Sequence, residues 1–289
     1  MAARPGVVYS GSVIDLRREL DVAVEVAKKA GARIRALHGG ELAVERKIDD
    51  SPVTQADREA NELIVAAIAK EFGDDGILSE ELPDDGSRHG RTRVWMIDPL
   101  DGTKDFIRGR DGFAVMIGLL VGDEPSLGVV YQPMTDKLYF ATRGNGAFVM
   151  IGEGTAVQIR VSDLEDAARI RMVASKSHRT PTIDKVREEL GISDELNIGS
   201  VGLKLGLIAE GARDLYVNPG GHSKLWDACG PEAILIEAGG RMTDVHGERL
   251  AYRGQELGNV RGLIASNGHL HDEVVRRLAA LFPPGPAVE

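Results

Sequence analysis

The chain has 289 residues, 43% hydrophobic and 28% charged, with a formal net charge of −10 at pH 7. That is the profile of a soluble globular protein, long enough for one large domain or two lobes. The negative balance argues against a nucleic-acid binder, which needs Lys and Arg to neutralise phosphates.

Cys229 is the single cysteine, which excludes an intrachain disulfide and a cysteine-based zinc site. Met1–Ser10 lacks a signal-like apolar core, and no run of about 18 apolar residues suits a membrane span. A soluble cytoplasmic protein is expected.

The N-terminal Ser12-Val13-Ile14-Asp15 has a capping-box pattern. It predicts a long amphipathic helix through Leu16, Leu20, Ala23, Ala27, Ala30, Ile34 and Leu37, stopped by Gly39-Gly40. Glu41 to Pro52 is polar and reads as an exposed loop or short hairpin. Helical spacing returns from Thr54 to Phe72, opened by the capping box Thr54-Gln55-Ala56-Asp57. Strand patterns follow at Gly76–Ser79, Arg93–Ile97, Phe113–Val121, Leu127–Tyr131, Lys137–Ala141, Ala147–Met150 and Val157–Val161. Residues 1–161 therefore read as an α+β lobe with a largely antiparallel sheet.

Beyond Ser162 strands and helices alternate. Strands are predicted at Ile170–Ser175, Leu215–Val217, Arg241–Val245 and Gly262–Ala265. Helices are predicted at Thr182–Leu190, Gly202–Glu210, Asp227–Ala238 and Leu270–Leu281, with Pro283–Glu289 as a loose tail. Residues 162–289 thus read as an α/β lobe. Trp95, Trp226 and Cys229 are expected in the core, and His269-Leu270-His271 in a surface turn.

The chemistry concentrates where the strand Arg93–Ile97 empties into Asp98-Pro99-Leu100-Asp101-Gly102-Thr103. Two carboxylates in a rigid turn are hard oxygen ligands suited to Mg²⁺. Gly102 and Thr103 open a helical turn whose free N–H groups suit a phosphate. Three further acidic positions accompany it: Asp57, the pair Glu80-Glu81, and Asp227 in Lys224-Leu225-Trp226-Asp227. Each alone has a plain structural reading. Asp57 caps a helix, Asp227 followed by Pro231 resembles a helix start, and paired glutamates commonly mark a solvated turn.

Taken in order, these segments resemble the inositol monophosphatase superfamily of Mg²⁺-dependent, Li⁺-sensitive phosphatases. The resemblance runs from Ser51-Pro52-Val53-Thr54 to Gly239-Gly240. Within it the chain is most similar to the 3′(2′),5′-bisphosphate nucleotidases, on four segments. These are Gly102-Thr103-Lys104-Asp105-Phe106, Ser175-Lys176-Ser177-His178, Gly199-Ser200-Val201-Gly202-Leu203-Lys204, and Trp226-Asp227-Ala228-Cys229-Gly230-Pro231-Glu232.

The resemblance implies a layered αβαβα sandwich of the sugar-phosphatase type. It implies hydrolysis of the 3′-phosphate of 3′-phosphoadenosine 5′-phosphate, or its phosphosulfate, by metal-activated water. Two or three Mg²⁺ would be held by Glu80, Asp98, the Leu100 carbonyl, Asp101 and Asp227, with Glu81 at a weaker site. Asp57 and Thr103 would form a proton relay. Gly102, Thr103, His178, Ser200, Lys204 and Lys224 would contact substrate.

The segment Val217–Ser223 lacks an arginine found in some members, for which Lys224 or His222 would compensate. The partner is a small phosphorylated molecule, and homodimers are common in the family. An inositol or sugar monophosphatase is the alternative enzyme. A catalytically silent metal- or phosphate-binding regulator is the alternative of another class.

Overall fold

The structure is a computed structural model that describes residues 14–40, 44–47, 51–176, 179–220 and 223–283. Helix α1 (Arg17–Leu37) begins later than the Ser12 pattern predicts. Ser12 and Val13 lie outside the described residues. At the helix start, Asp15 accepts from the Arg17 backbone N–H (3.2 Å) and guanidinium (2.7 Å). The polar segment is a hairpin of β1 (Val44–Arg46) and β2 (Pro52–Thr54). It leads into α2 (Gln55–Glu71), whose capping box is formed as predicted.

The first sheet runs in sequence order: β3 (Gly76–Ser79), β4 (Arg93–Asp101), β5 (Ala114–Val121), β6 (Glu124–Gln132), β7 (Lys137–Thr142), β8 (Ala147–Ile151) and β9 (Val157–Ile159). Only β3 and β4 are parallel. A five-residue helix, α3 (Thr103–Ile107), follows β4. The second part comprises β10 (Arg171–Ser175), α4 (Pro181–Leu190), β11 (Asp194–Ile198), α5 (Val201–Ala209), β12 (Leu215–Asn218), α6 (Leu225–Glu237), β13 (Arg241–Thr243), β14 (Leu263–Ser266) and α7 (His271–Leu278). Its sheet has the order β11-β10-β12-β14-β13.

Strand alternation sets the layers, because successive side chains point to opposite faces. Trp95, Ile97, Val115, Ile117 and Val129 pack under the Ala23/Ala27/Ala30/Ile34 stripe of α1 and the Ala56/Ala60/Ile64/Ile68 stripe of α2. Val94, Met96, Met116 and Val130 face the opposite way, onto α5 and α6, which are themselves covered by Val173, Tyr216 and Ala265 of the second sheet. The outer face of that sheet carries α4 and α7 through Ile183, Val186, Val274 and Leu278. The order α, β, α, β, α is the sandwich that the resemblance implied.

Helix α6 lies directly on the first sheet because both surfaces are glycine there. Gly118 and Gly128 pair across β5 and β6, and Gly230 of α6 sits on them. A Cβ on Gly128 would meet the Gly230 carbonyl oxygen at 2.0 Å, so any side chain would lift the helix. This contact sets the height of Asp227, three residues earlier on the same helix.

Three expectations are corrected. Helix α6 begins at Leu225, which places Asp227 in its first turn and Pro231 in its interior. His271 is fully buried, with Ser266 Oγ 2.9 Å from Nδ1 and Thr243 Oγ1 2.9 Å from Nε2, so it lies in the interior and not in a surface turn. Strand β11 has no counterpart in the sequence reading. It is an edge strand with the residues Asp-Glu-Leu-Asn-Ile, largely exposed and without apolar alternation. Trp95 and Cys229 are buried as expected, while Trp226 is buried on the wall of a cleft. Among the described residues no helix is long and apolar enough to cross a membrane.

Candidate active site

A cleft of about 1180 Å³ lies where the end of β4, the hairpin, and the starts of α4, α5 and α6 converge. Asp98 and Asp101 reach it through an irregularity of β4. Between them β4 takes three steps while its partners on β5, Met116 to Ala114, take two. Residues three apart on a regular strand point to opposite faces; one extra residue restores the parity and turns both carboxylates to the same side. Pro99 suits this point, since it has no N–H to give the ladder. Asp98 Oδ1 accepts the Leu100 N–H at 2.9 Å, which closes the turn. Gly102 then adopts φ +99°, with no room for a Cβ beside the Gly112 carbonyl 2.7 Å away.

Asp57 serves two purposes at once. Its Oδ2 accepts from the Thr54 N–H (2.7 Å) and Thr54 hydroxyl (2.6 Å), which is the helix cap. Its Oδ1 faces Thr103, whose hydroxyl lies 3.1 Å from it and 3.1 Å from the Leu100 carbonyl. The helix cap and the contact with Thr103 therefore use different oxygens of Asp57. Asp227 repeats the device on α6, where Oδ2 accepts the Lys224 N–H at 2.8 Å. Burial pushes the Asp57 carboxyl up, against the lowering effect of the Thr54 donors.

Glu80 and Glu81 follow β3 and are gripped by Lys47 of the hairpin segment, at 2.7 and 2.6 Å. Burial holds Glu81 up at about 7 even so. Burial also works against the charge on Lys47, but Glu80 and Glu81 outweigh it and raise its pKa. Asp101 Oδ2 accepts from the Ser200 hydroxyl (2.6 Å) and the Gly202 N–H (3.1 Å). Lys204 is buried; its ammonium donates to the Gly199 carbonyl at 2.6 Å and lies 5.1 Å from the Tyr216 ring centre. Burial brings Lys204 down to about 8, opposed by Asp101, Asp227 and Asp105.

The carboxylates load one another. Asp98 is pushed well above the usual range by burial and then by Glu80 and Asp101; Asp227 is pushed up by burial and then by Asp101 and Glu80. Oxygen donors buried together at this cost match a divalent cation, which would remove the repulsion. Among the described residues no three such side chains already converge on one ion-sized point.

Of the other residues named from the sequence, Gly102, Thr103, Lys204, Lys224 and Leu100 line the cleft. Ser200 is fully buried with its hydroxyl on Asp101, away from a substrate-facing position. His178 and His222 lie outside the described residues. Sequence reasoning missed Lys47, one of two adjacent cations in a polar segment with no periodic signal, and missed the link from Ser200 to Asp101. Both depend on chain crossings that no local pattern encodes.

A fold of this kind, with carboxylates gathered at a strand end and a Thr–Asp pair beside them, is that of a phosphatase. The chain matches the inositol monophosphatase family over residues 15–281. It belongs to that family, and with it to the phosphatases. It is 36% identical over 240 residues to the 3′(2′),5′-bisphosphate nucleotidase CysQ of Salmonella typhimurium, covering 82% of this chain and 95% of the relative. It is 32% identical over 269 residues to the histidinol-phosphatase of Mycobacterium tuberculosis, covering 91% and 98%. Among solved structures, the Thermotoga maritima IMPase superposes with a TM-score of 0.78 at 28% identity, covering 91% of this chain and 98% of that one. CysQ from Bacteroides thetaiotaomicron gives 0.73 at 31% identity, covering 86% and 97%.

Proposed function

We propose that the protein is a Mg²⁺-dependent phosphomonoesterase that removes the 3′-phosphate of 3′-phosphoadenosine 5′-phosphate or its phosphosulfate. The observation that carries the hydrolytic reading is the Thr103–Asp57 pair at the edge of the carboxylate cluster. Mere binding of metal or phosphate has no use for it, which disfavours a silent regulator.

Glu80, Asp98, the Leu100 carbonyl, Asp101 and Asp227 would hold two or three Mg²⁺, with Glu81 at the periphery. When bound, Mg²⁺ neutralises the phosphoryl charge and acidifies adjacent water. The Thr103 hydroxyl has one hydrogen. Directed at Asp57 Oδ1, it leaves oxygen lone pairs to accept from a water and aim it at phosphorus. Asp57, anchored by Thr54 and made more basic by burial, takes up the proton passed through the hydroxyl. The Gly102 and Thr103 amides would hold phosphoryl oxygens at the start of the α3 turn.

The nucleotide is favoured by the cations in the cleft lining, Arg46, Lys104 and Lys224, beside Lys47 and Arg58, which are paired with Glu80/Glu81 and Glu45. Cations in the lining suit a substrate bearing a second anionic group. The histidinol-phosphatase relative covers more of the chain than the CysQ relative does, so a cationic phosphomonoester is the second reading. A phosphate-release panel at fixed Mg²⁺ separates the candidates: 3′-phosphoadenosine 5′-phosphate, inositol 1-phosphate and histidinol phosphate, compared by kcat/KM. The nucleotide should lead by at least tenfold; a lead for either of the others replaces the substrate and leaves the reaction class.

A further inference from the structure

We propose that Ser200 is a positioning residue that aims Asp101 at the metal site, and not a substrate contact. The inference rests on the metal-dependent reading above. Ser200 is fully buried, and its one hydroxyl hydrogen is given to Asp101 Oδ2 at 2.6 Å. The Ser200 hydroxyl oxygen in turn accepts the Leu203 N–H at 3.1 Å as the cap of α5. No hydrogen remains to donate to a substrate oxygen.

Asp101 Oδ2 receives a second bond, from the Gly202 N–H at 3.1 Å. One carboxylate oxygen is thus bound by the first turn of α5, and the other is left for the cleft. A carboxylate at a helix N-terminus gains from both the free N–H groups and the dipole. Here the carboxylate comes from a residue 99 positions away in the chain.

The helix start is itself clamped in place. Ser200 N–H donates to the Gly112 carbonyl at 2.9 Å, just before β5. Lys204 ties down the Gly199 carbonyl from the other side at 2.6 Å. Gly199 and Gly112 both pass against Asp105 so closely that a Cβ on either would lie within 2.5 Å of its Oδ2. The orientation of Asp101 is therefore set by the contact between the two halves of the chain.

The test is calorimetric titration of Mg²⁺ into the wild type, Ser200→Ala and Ser200→Gly, without substrate. Both variants lose the hydroxyl, but glycine caps a helix nearly as well as serine while alanine does not. Loss of an outer partner of a metal ligand weakens metal binding about tenfold to a hundredfold. Both variants should weaken Mg²⁺ binding by at least about tenfold. At saturating Mg²⁺, KM for the best substrate of the panel should stay within about twofold of wild type.

Wild-type Mg²⁺ affinity in both variants, with KM raised, overturns the proposal in favour of a substrate contact. Weakening in Ser200→Ala alone reduces Ser200 to a cap and also overturns it. No Mg²⁺ binding by the wild type would instead bring down the metal reading itself.

Discussion

Replacing Asp57 by Asn tests whether this residue is more than a helix cap. In the structure Oδ2 holds two Thr54 donors and Oδ1 faces Thr103. The Asn carbonyl oxygen can retain the Thr54 pair and turn its amide toward Thr103, whose hydroxyl still has the Leu100 carbonyl 3.1 Å away. The fold should lose no more than about 1–2 kcal/mol, the scale of a weakened cap and a lost charge at a helix start.

Turnover should suffer far more. Loss of a positioned proton acceptor lowers kcat by about 10²–10⁴, which is about 3–5 kcal/mol of barrier at 1.36 kcal/mol per decade. Thr103→Ala removes the other half of the pair and should lower kcat comparably with KM little changed. If the two act as a unit, the double variant should be little worse than either single one. The assay is phosphate release at saturating substrate and Mg²⁺, paired with urea unfolding of each variant. An Asp57→Asn protein with wild-type kcat and only reduced stability would show that the cap is all there is.

Asp98→Asn should abolish Mg²⁺-dependent turnover while raising the unfolding midpoint of the metal-free protein, because it relieves a buried repulsion. Activity surviving exhaustive EDTA would refute the metal requirement. Burial lowers the pKa of His271 to about 4 from 6.5. A depressed folded-state pKa gives stability that is full above about pH 6.5 and lost as pH falls toward 4, about 3 kcal/mol in all. Denaturation of wild type and His271→Asn at pH 7.5 and 4.5 checks this, and a stability difference independent of pH would refute it. Gly128→Ala places a Cβ 2.0 Å from the Gly230 carbonyl oxygen and should destabilise by about 3 kcal/mol or more. Gly40→Ala, whose Cβ would stand 3.5 Å from the Leu37 carbonyl oxygen, should be neutral within about 0.5 kcal/mol; equal thermal midpoints for the two would refute the close-packing argument.

Much of this protein was readable in its amino-acid order. The helical spacing of α2 and its capping box appear where Thr54-Gln55-Ala56-Asp57 predicts, and β3 has its predicted ends at Gly76 and Ser79. Such features rest on dihedral preferences and hydrogen bonds spanning a few residues, so local spacing specifies them. The start of α1 and strand β11 escaped. Helix α1 starts after Leu16, beside the Asp15–Arg17 contact, with no side-chain cap to mark it, and β11 is an exposed edge without periodicity.

The residues of the candidate site were nameable one by one, but their relations were not. Asp57 meets Thr103 across 46 positions, Lys47 meets Glu80 across 33, and Asp101 meets Ser200 across 99. The packing of α2 and the hairpin against the ends of β3 and β4 decides the first two, and that of α5 against the end of β4 decides the third. Ser200 shows the consequence: its motif pointed to a substrate contact, while its hydroxyl is given to Asp101. Sequence spacing governs which way a side chain leaves its own helix or strand; which partner it meets is settled by how the layers close upon one another.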